Sequence, residues 1–228
     1  MTTIEEAILK LDRKLKDIPF DFAFLGGSVL SLLVTDPMAD AIRVTKDVDV
    51  MMNIRTRRDY HRVDAMLERL GFRHDTRDDA PICRWIFEDV TVDVLPIREE
   101  VLGWKSMWFE DALDEAAVLM RGRRAIKVVS APYFVALKVE AFEDRGHGDF
   151  LTSTDFEDVI CLFNGRGTIV EEIAGCTKLR RGLAEKFRRY LTNPDLEDAI
   201  EGFVQTETNP VGRKSALMAK FGAVANLV

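Results

Sequence analysis

The sequence is poor in cysteine and histidine, and these shortages narrow the field first. Cys83, Cys161 and Cys176 are odd in number and nowhere spaced Cys-x-x-Cys, so neither a disulfide framework nor a zinc site is expected. The histidines His61, His74 and His147 are isolated and lack metal-ligand spacing. No apolar run approaches the roughly 20 residues needed to span a bilayer. Met1-Thr2-Thr3-Ile4-Glu5-Glu6 lacks the basic-then-apolar pattern of a secretory signal. A cytoplasmic protein with no membrane partner is the expectation. A basic excess is missing as well: 32 Lys and Arg stand against 39 Asp and Glu, a net charge of −7. That argues against broad, sequence-independent binding of nucleic acid, which needs many cations on one face. Internal repeats and low-complexity tracts are also absent.

What remains is a globular composition, 47% hydrophobic and 31% charged over 228 residues. That length supports one large domain or two small ones. Ile4, Ala7, Ile8, Leu11 and Leu15 follow helical spacing, predicting a helix over 3–17. Phe20 to Leu25 suits a buried strand stopped by Gly26-Gly27, after which Ser28 opens a helix over Val29–Val34. Val48 to Ile54 is the next strand. Thr56 caps a helix running to Leu70, with Gly71 just past its end. Ile82–Phe87 and Val90–Ile97 read as strands joined by a tight hairpin at Glu88-Asp89. The segment 98–116 fits neither period, and Val118–Met120 with Ala125–Val129 forms a second hairpin. From Ser130 onward the pattern is helical: Tyr133–Glu143, a helix capped by Ser153 or Thr154 through Phe163, Ile169–Leu191 with a break near Gly175, Asp195–Phe203, and Gly212–Leu227. The expected class is α+β, with a mixed core over 1–129 and a helical region over 130–228.

The chemistry concentrates in the first part. Strand, double glycine and helix form an arrangement that aims backbone N–H groups at an anion. In Asp47-Val48-Asp49 the period of two puts both carboxylates on one strand face, with Val48 and Val50 on the other. Asp93, flanked by Val92 and Val94, repeats the design on a later strand. Three carboxylates from two neighbouring strands repel one another unless a cation joins them. Magnesium is the hard cation that favours carboxylate and phosphate oxygens. A pair of such ions serves an in-line phosphoryl displacement.

Leu25-Gly26-Gly27-Ser28, Asp47-Val48-Asp49-Val50 and Val92-Asp93-Val94 together resemble the three core motifs of the DNA polymerase β-like nucleotidyltransferase superfamily. Arg43-Val44-Thr45-Lys46-Asp47-Val48-Asp49 resembles more narrowly the Arg-x-Thr-x-Asp-x-Asp form of AbiEii-type proteins, which include toxins of toxin–antitoxin and phage-defence systems. Ala136-Leu137-Lys138-Val139-Glu140-Ala141, then Arg145, then Thr154-Asp155-Phe156-Glu157-Asp158, is similar to the helical motif of that group. The resemblance covers roughly residues 20–163. It implies a polymerase β-like core, a mixed sheet flanked by helices, followed by a C-terminal helical region. It also implies a magnesium-dependent enzyme, with manganese as the alternative ion, that transfers a nucleoside monophosphate from a nucleoside triphosphate to RNA or tRNA, a protein or a small molecule.

By the same resemblance, Gly26, Gly27 and Ser28 bind the nucleotide, Gly27 and Ser28 at its β- and γ-phosphates, and Asp47, Asp49 and Asp93 bind two metal ions. Asp93 also helps activate the acceptor. Lys138 contacts a triphosphate oxygen, and Asp155 or Asp158 supports Lys138 or the nucleotide. An antitoxin is an implied partner. The other reading is a non-catalytic nucleotide- or partner-binding module on the same fold. Two basic groups, Arg121-Gly122-Arg123-Arg124 and the stretch Arg180, Arg181, Lys186, Arg188 and Arg189, read as solvated surface before they read as RNA contacts.

Overall fold

The computed structural model describes residues 3–37, 39, 43, 45–103, 106–204 and 210–227. The chain divides into two compact units, Met1–Val29 with Val44–Ser130, and Leu30–Arg43 with Ala131–Val228.

The first unit is built on a seven-stranded mixed sheet: β1 Phe22–Leu25, β2 Asp47–Met52, β3 Arg73–His74, β4 Arg84–Phe87, β5 Val90–Pro96, β6 Ala117–Arg121 and β7 Arg124–Val128. Their order is β3-β4-β5-β2-β1-β7-β6. β2 runs parallel to β5 and β1 parallel to β7, while β1–β2, β3–β4, β4–β5 and β6–β7 are antiparallel. β1 is an unbroken apolar run buried along its length, whereas the first residues of β2 alternate buried valines with half-buried acids. Val48, Val50, Val92 and Val94 are all buried. Helix α1, Ile4–Leu15, buries Ile8, Leu11 and Leu15, and a capping box of Thr3 and Glu6 fixes its start. Helix α3, Arg57–Arg69, begins where Thr56 accepts a hydrogen bond from the Asp59 N–H, and it buries Tyr60, Val63 and Leu67. Gly71 follows at φ +94°. The segment 98–116, which no period resolved, contains two short helices, α4 Glu99–Leu102 and α5 Phe109–Asp114.

The second unit is helical. It comprises the short α2, Leu30–Leu33, then α6 Ala131–Glu143, α7 Thr154–Gly165, α8 Ile169–Gly175, α9 Arg180–Tyr190, α10 Asp195–Phe203 and α11 Pro210–Ala225. α6 is apolar on nearly every side, the signature of a buried helix, and only a few of its residues reach solvent. The core is aromatic: Phe142, Phe150, Phe156 and Tyr190 meet edge-on or tilted, and Phe163, Phe187 and Phe221 extend the cluster. The segment after α2 is tied in by backbone, with the Thr35 and Asp36 N–H groups donating to the Gly165 carbonyl. Gly165 permits this approach, since a Cβ there would lie 2.6 Å from a Val34 methyl. No helix among the described residues is long and apolar enough to cross a membrane.

Candidate active site

In the first unit the sheet register assembles the acids. Asp49 lies opposite Asp93 across the parallel β2–β5 pair and opposite Leu25 across the antiparallel β1–β2 pair. Asp47 precedes Asp49 by two residues, so all three carboxylates rise from one face of the sheet. Asp93 is buried, and Asp47 and Asp49 are half-buried.

The turn after β1 fits against this face. Gly26 has φ +71°, a conformation that favours glycine, and a Cβ at that position would sit 1.9 Å from Asp49 Oδ2. The missing side chain is therefore what leaves room for the Asp49 carboxylate. Gly27 to Val29 form a single 3-10 turn that leads into the four-residue α2, in place of one helix over 29–34. Ser28 is buried, and its hydroxyl donates to the Leu25 carbonyl at 2.9 Å, so the side chain closes the turn.

A residue that motif reading passed over completes the cluster. Arg84 on β4 stands directly opposite Asp93 in the antiparallel β4–β5 ladder. Its Nε donates to Asp93 Oδ1 at 2.8 Å and its Nη2 to Asp93 Oδ2 at 2.7 Å, a two-pronged clasp of both carboxylate oxygens. The same Nη2 reaches Asp47 Oδ2 at 3.1 Å. The hydrogen bonds to Asp93, reinforced by the charges of Asp93 and Asp47, outweigh desolvation and hold the guanidinium well above its ordinary pKa. Neighbouring Cys83 is driven the other way in chemical terms. Burial, helped by the charges of Asp93 and Asp49, pushes its thiol far above the normal range and keeps it protonated and unreactive.

A signal for Arg84 was present in the chain. A two-residue hairpin at Glu88-Asp89 pairs Phe87 with Val90, and counting outward pairs Arg84 with Asp93. Glu88 adopts φ +53° to make that turn, and Lys10 clamps it from α1 by bonds to Glu88 and Asp89.

The helical unit holds the second group of predicted residues. Lys138 on α6 points between Asp155 and Asp158, which lie three residues apart on one face of α7. Lys138 Nζ donates to Asp155 Oδ1 at 2.8 Å and stands 2.7 Å from Asp158 Oδ2, a charge contact without hydrogen-bond alignment. Both acids therefore support the lysine. Arg145 forks onto Asp155 with two bonds of 2.8 Å. Arg43, from the Arg-x-Thr-x-Asp-x-Asp segment, lies 3.6 Å from Glu157 and 3.9 Å from Asp158. Burial works against the Lys138 charge, but Asp158 and Asp155 outweigh it and raise its pKa. Burial likewise opposes the Asp155 charge, and Arg145 and Lys138 prevail and lower its pKa.

The basic stretch of α9 is partly internal. Lys186 and Arg189 both pair with Glu143, whose carboxylate also accepts from the Tyr190 hydroxyl, and Arg188 donates to the Ala225 carbonyl. Arg121, at the β6–β7 hairpin, pairs with Glu5 at 3.2 Å.

Comparison with solved structures places the fold. A crystal structure of an antigenic nucleotidyltransferase-like protein from Paracoccidioides brasiliensis superimposes with a TM-score of 0.54, at 18% identity, over 87% of this chain and 92% of that one. The chain has a nucleotidyltransferase-like fold. Its sheet flanked by helices is the α+β class expected from the sequence. The solution structure of the antibiotic-resistance factor ANT(2″)-Ia matches with a TM-score of 0.47 at 15% identity, over 83% of this chain and all of that one. A crystal structure of ANT(2″)-Ia in complex with adenylyl-2″-tobramycin matches with a TM-score of 0.40 at 15% identity, over 67% of this chain and 84% of that one. No family model matches the sequence, and no curated protein matches it.

The donor chemistry of the acid face suits a hard cation, since it offers carboxylate oxygens, and the Asp49 carboxylate packs against the Gly26 turn. The fit is for a partly protein-built site. Among the described residues no group of three or more His, Cys, Asp and Glu side chains is arranged to hold a metal ion, and Arg84 holds both oxygens of Asp93.

Proposed function

We propose that the chain is a magnesium-dependent nucleotidyltransferase. The observation that carries this reading is the register of β2 and β5, which sets Asp49 beside Asp93 and Asp47 on one face next to the Gly26 turn. In the transfer, an acceptor hydroxyl oxygen bonds to the α-phosphorus of a nucleoside triphosphate. The bond from that phosphorus to the α–β bridging oxygen breaks, pyrophosphate leaves with the electron pair, and the acceptor proton passes to solvent. Asp47 and Asp49 would hold the metal. When bound, magnesium shields the triphosphate charge and stabilises the leaving pyrophosphate. The Gly26 turn lies against Asp49, whose carboxylate occupies the space a side chain at Gly26 would fill.

The resemblance of Arg43-x-Thr45-x-Asp47-x-Asp49 to AbiEii-type proteins favours a macromolecular acceptor, RNA or protein, and a toxin role with a neutralising partner. The acidic balance of the chain favours a small acceptor instead. One experiment separates these and tests the reaction. The chain is incubated with each α-labelled triphosphate and magnesium, with total RNA, with protein and with small hydroxyl acceptors, alongside Asp47→Asn and Asp49→Asn variants. Label carried to an acceptor by the wild type and lost in the variants supports the enzyme, and the labelled product names the acceptor. Triphosphate binding with no transfer to any acceptor refutes it in favour of a binding module.

A further inference from the structure

We infer that β6 is a self-complementary edge, by which two copies of the chain join their sheets antiparallel about a two-fold axis at Leu119.

β6 ends the sheet, and no strand among the described residues lies on its outer side. Soluble proteins commonly blunt such an edge by shortness or charge. The opposite edge obeys, since β3 is only Arg73 and His74. β6 does not. It runs for five residues and presents Val118 and Met120 on one face, 63% and 59% exposed. Its backbone is set for pairing as well. Along an antiparallel pair, residues alternately bond each other and point away. Ala125, the β7 partner of Met120, gives its carbonyl to Lys16 at 3.1 Å, and the Met120 carbonyl accepts from the Arg121 guanidinium at 3.1 Å. Both carbonyls thus point away from the β6–β7 seam. Met120, and Val118 two residues before it, therefore turn their backbone groups to the open edge, and the Met120 oxygen keeps a second lone pair.

A second copy fits this edge in one register. With Leu119 opposite Leu119, Val118 of each copy lies opposite Met120 of the other. Both are edge-facing residues, so each pair closes backbone hydrogen bonds, and the exposed apolar side chains cover one another. Charge agrees. Exposed Asp114 precedes the strand, and exposed Arg123 and Arg124 follow it. Antiparallel pairing brings the acidic end of each strand to the basic end of the other, whereas parallel pairing sets like beside like. Such an isologous contact closes after two copies. One short strand from each copy falls below the roughly 1,200 Å2 of a stable interface, so the dimer is expected to be weak and concentration-dependent.

The test measures the mass of the full chain by sedimentation over a series reaching roughly 1 mM, where even a weak dimer forms. Wild type is expected to pass from monomer to dimer. Val118→Lys with Met120→Lys sets like charges opposite each other in both pairs and is expected to weaken association about tenfold or more. Val118→Glu with Met120→Lys in one chain sets opposite charges together in both pairs and is expected to dimerise, whereas a register slipped along the strand makes a like pair meet. Leu119→Cys, with its own counterpart about 4.5 Å away between Cα atoms, is expected to cross-link the copies under mild oxidation, beyond any cross-linking of wild type. A wild type that is monomeric at every concentration overturns the inference and leaves the edge to a strand of another protein. A dimer untouched by Val118→Lys with Met120→Lys, or none from a folded Val118→Glu with Met120→Lys, overturns it too. If the charged variants fail to fold, the wild-type mass and the Leu119→Cys cross-link decide alone.

Discussion

Replacing Lys138 with methionine keeps the length and apolar stem of the side chain but removes the ammonium from between Asp155 and Asp158. The lysine side chain is 11% exposed and the two acids 5% and 3%, so solvent does little to compensate the lost charge. Removing one partner of a buried ion pair typically costs about 3–5 kcal/mol. Here Asp155 keeps the Arg145 fork, so the larger part of the effect falls on Asp158, left with Arg43 at 3.9 Å. The lower end of that range, about 3 kcal/mol, is the expected loss. For a chain of this size it corresponds to a fall in melting temperature of roughly 6–12 °C.

Thermal and urea unfolding of Lys138→Met measure this directly. A second change, Asp158→Asn, should then restore part of the loss, because it removes the stranded charge, with a coupling of about 1–3 kcal/mol in the double-mutant cycle. The reasoning fails if Lys138→Met melts within about 1 °C of wild type, a shift smaller than even 1 kcal/mol would give. If it does so while abolishing nucleotidyl transfer, the lysine acts on substrate and is not the counter-ion of α7.

Two further predictions follow from the same kind of geometry. Gly26→Ala should lower stability by at least the roughly 1–2 kcal/mol of a left-handed residue and abolish transfer, because its Cβ would lie 1.9 Å from Asp49 Oδ2; parallel unfolding and transfer assays check both, and an active variant of wild-type stability sinks the cradle argument. The Lys138 cluster should also set the pH limits of folding. Asp155 has a lowered folded pKa, so its contribution is present above its ordinary value of 3.8 and is lost as pH falls through the lower folded value. Lys138 has a raised pKa, so its contribution is present below 10.5 and is lost as pH rises through the higher folded value. Urea midpoints measured from pH 2 to 12 should therefore fall at both ends, and the alkaline limb due to the lysine should vanish in Lys138→Met.

The parts of the fold that were legible in the sequence are those where local chemistry decides. Thr56 and Gly71 bracket α3 because a cap oxygen and a left-handed residue are local requirements. The period of two in Asp47-x-Asp49 settled which side chains share a face. The β4–β5 and β6–β7 hairpins announced themselves by their turns. The stretch 98–116 did not, because α4 and α5 are one to two turns each, too short to display a helical period. The helix expected from Ser28 failed for a related reason: the Ser28 hydroxyl bonds back to Leu25, and the chain makes a tight 3-10 turn before only four α-helical residues. Arg84 is a different case. It belongs to no motif and its partner Asp93 is nine residues away, yet the hairpin register fixes the pair once the turn at Glu88-Asp89 is accepted.

The two cation–carboxylate clusters have the same chemistry, and burial separates their roles. Around Arg84 the side chains are 23% exposed for the arginine, 38% for Asp47 and 11% for Asp93. The Arg84–Asp47 pair sits where water and other ions reach it, and partly exposed pairs add little to folding. Three acids and a guanidinium share this sheet face, and the proposed transfer reading rests on them. Around Lys138 the groups are almost fully buried, and an uncompensated charge there threatens the fold itself. The Arg84 cluster should therefore answer to metal and leave melting nearly unchanged when Asp47 is neutralised. The Lys138 cluster should answer to substitution with lost stability. A swap of those responses, with Asp47→Asn strongly destabilising and Lys138→Met silent in unfolding, would reverse the assignment of the two clusters.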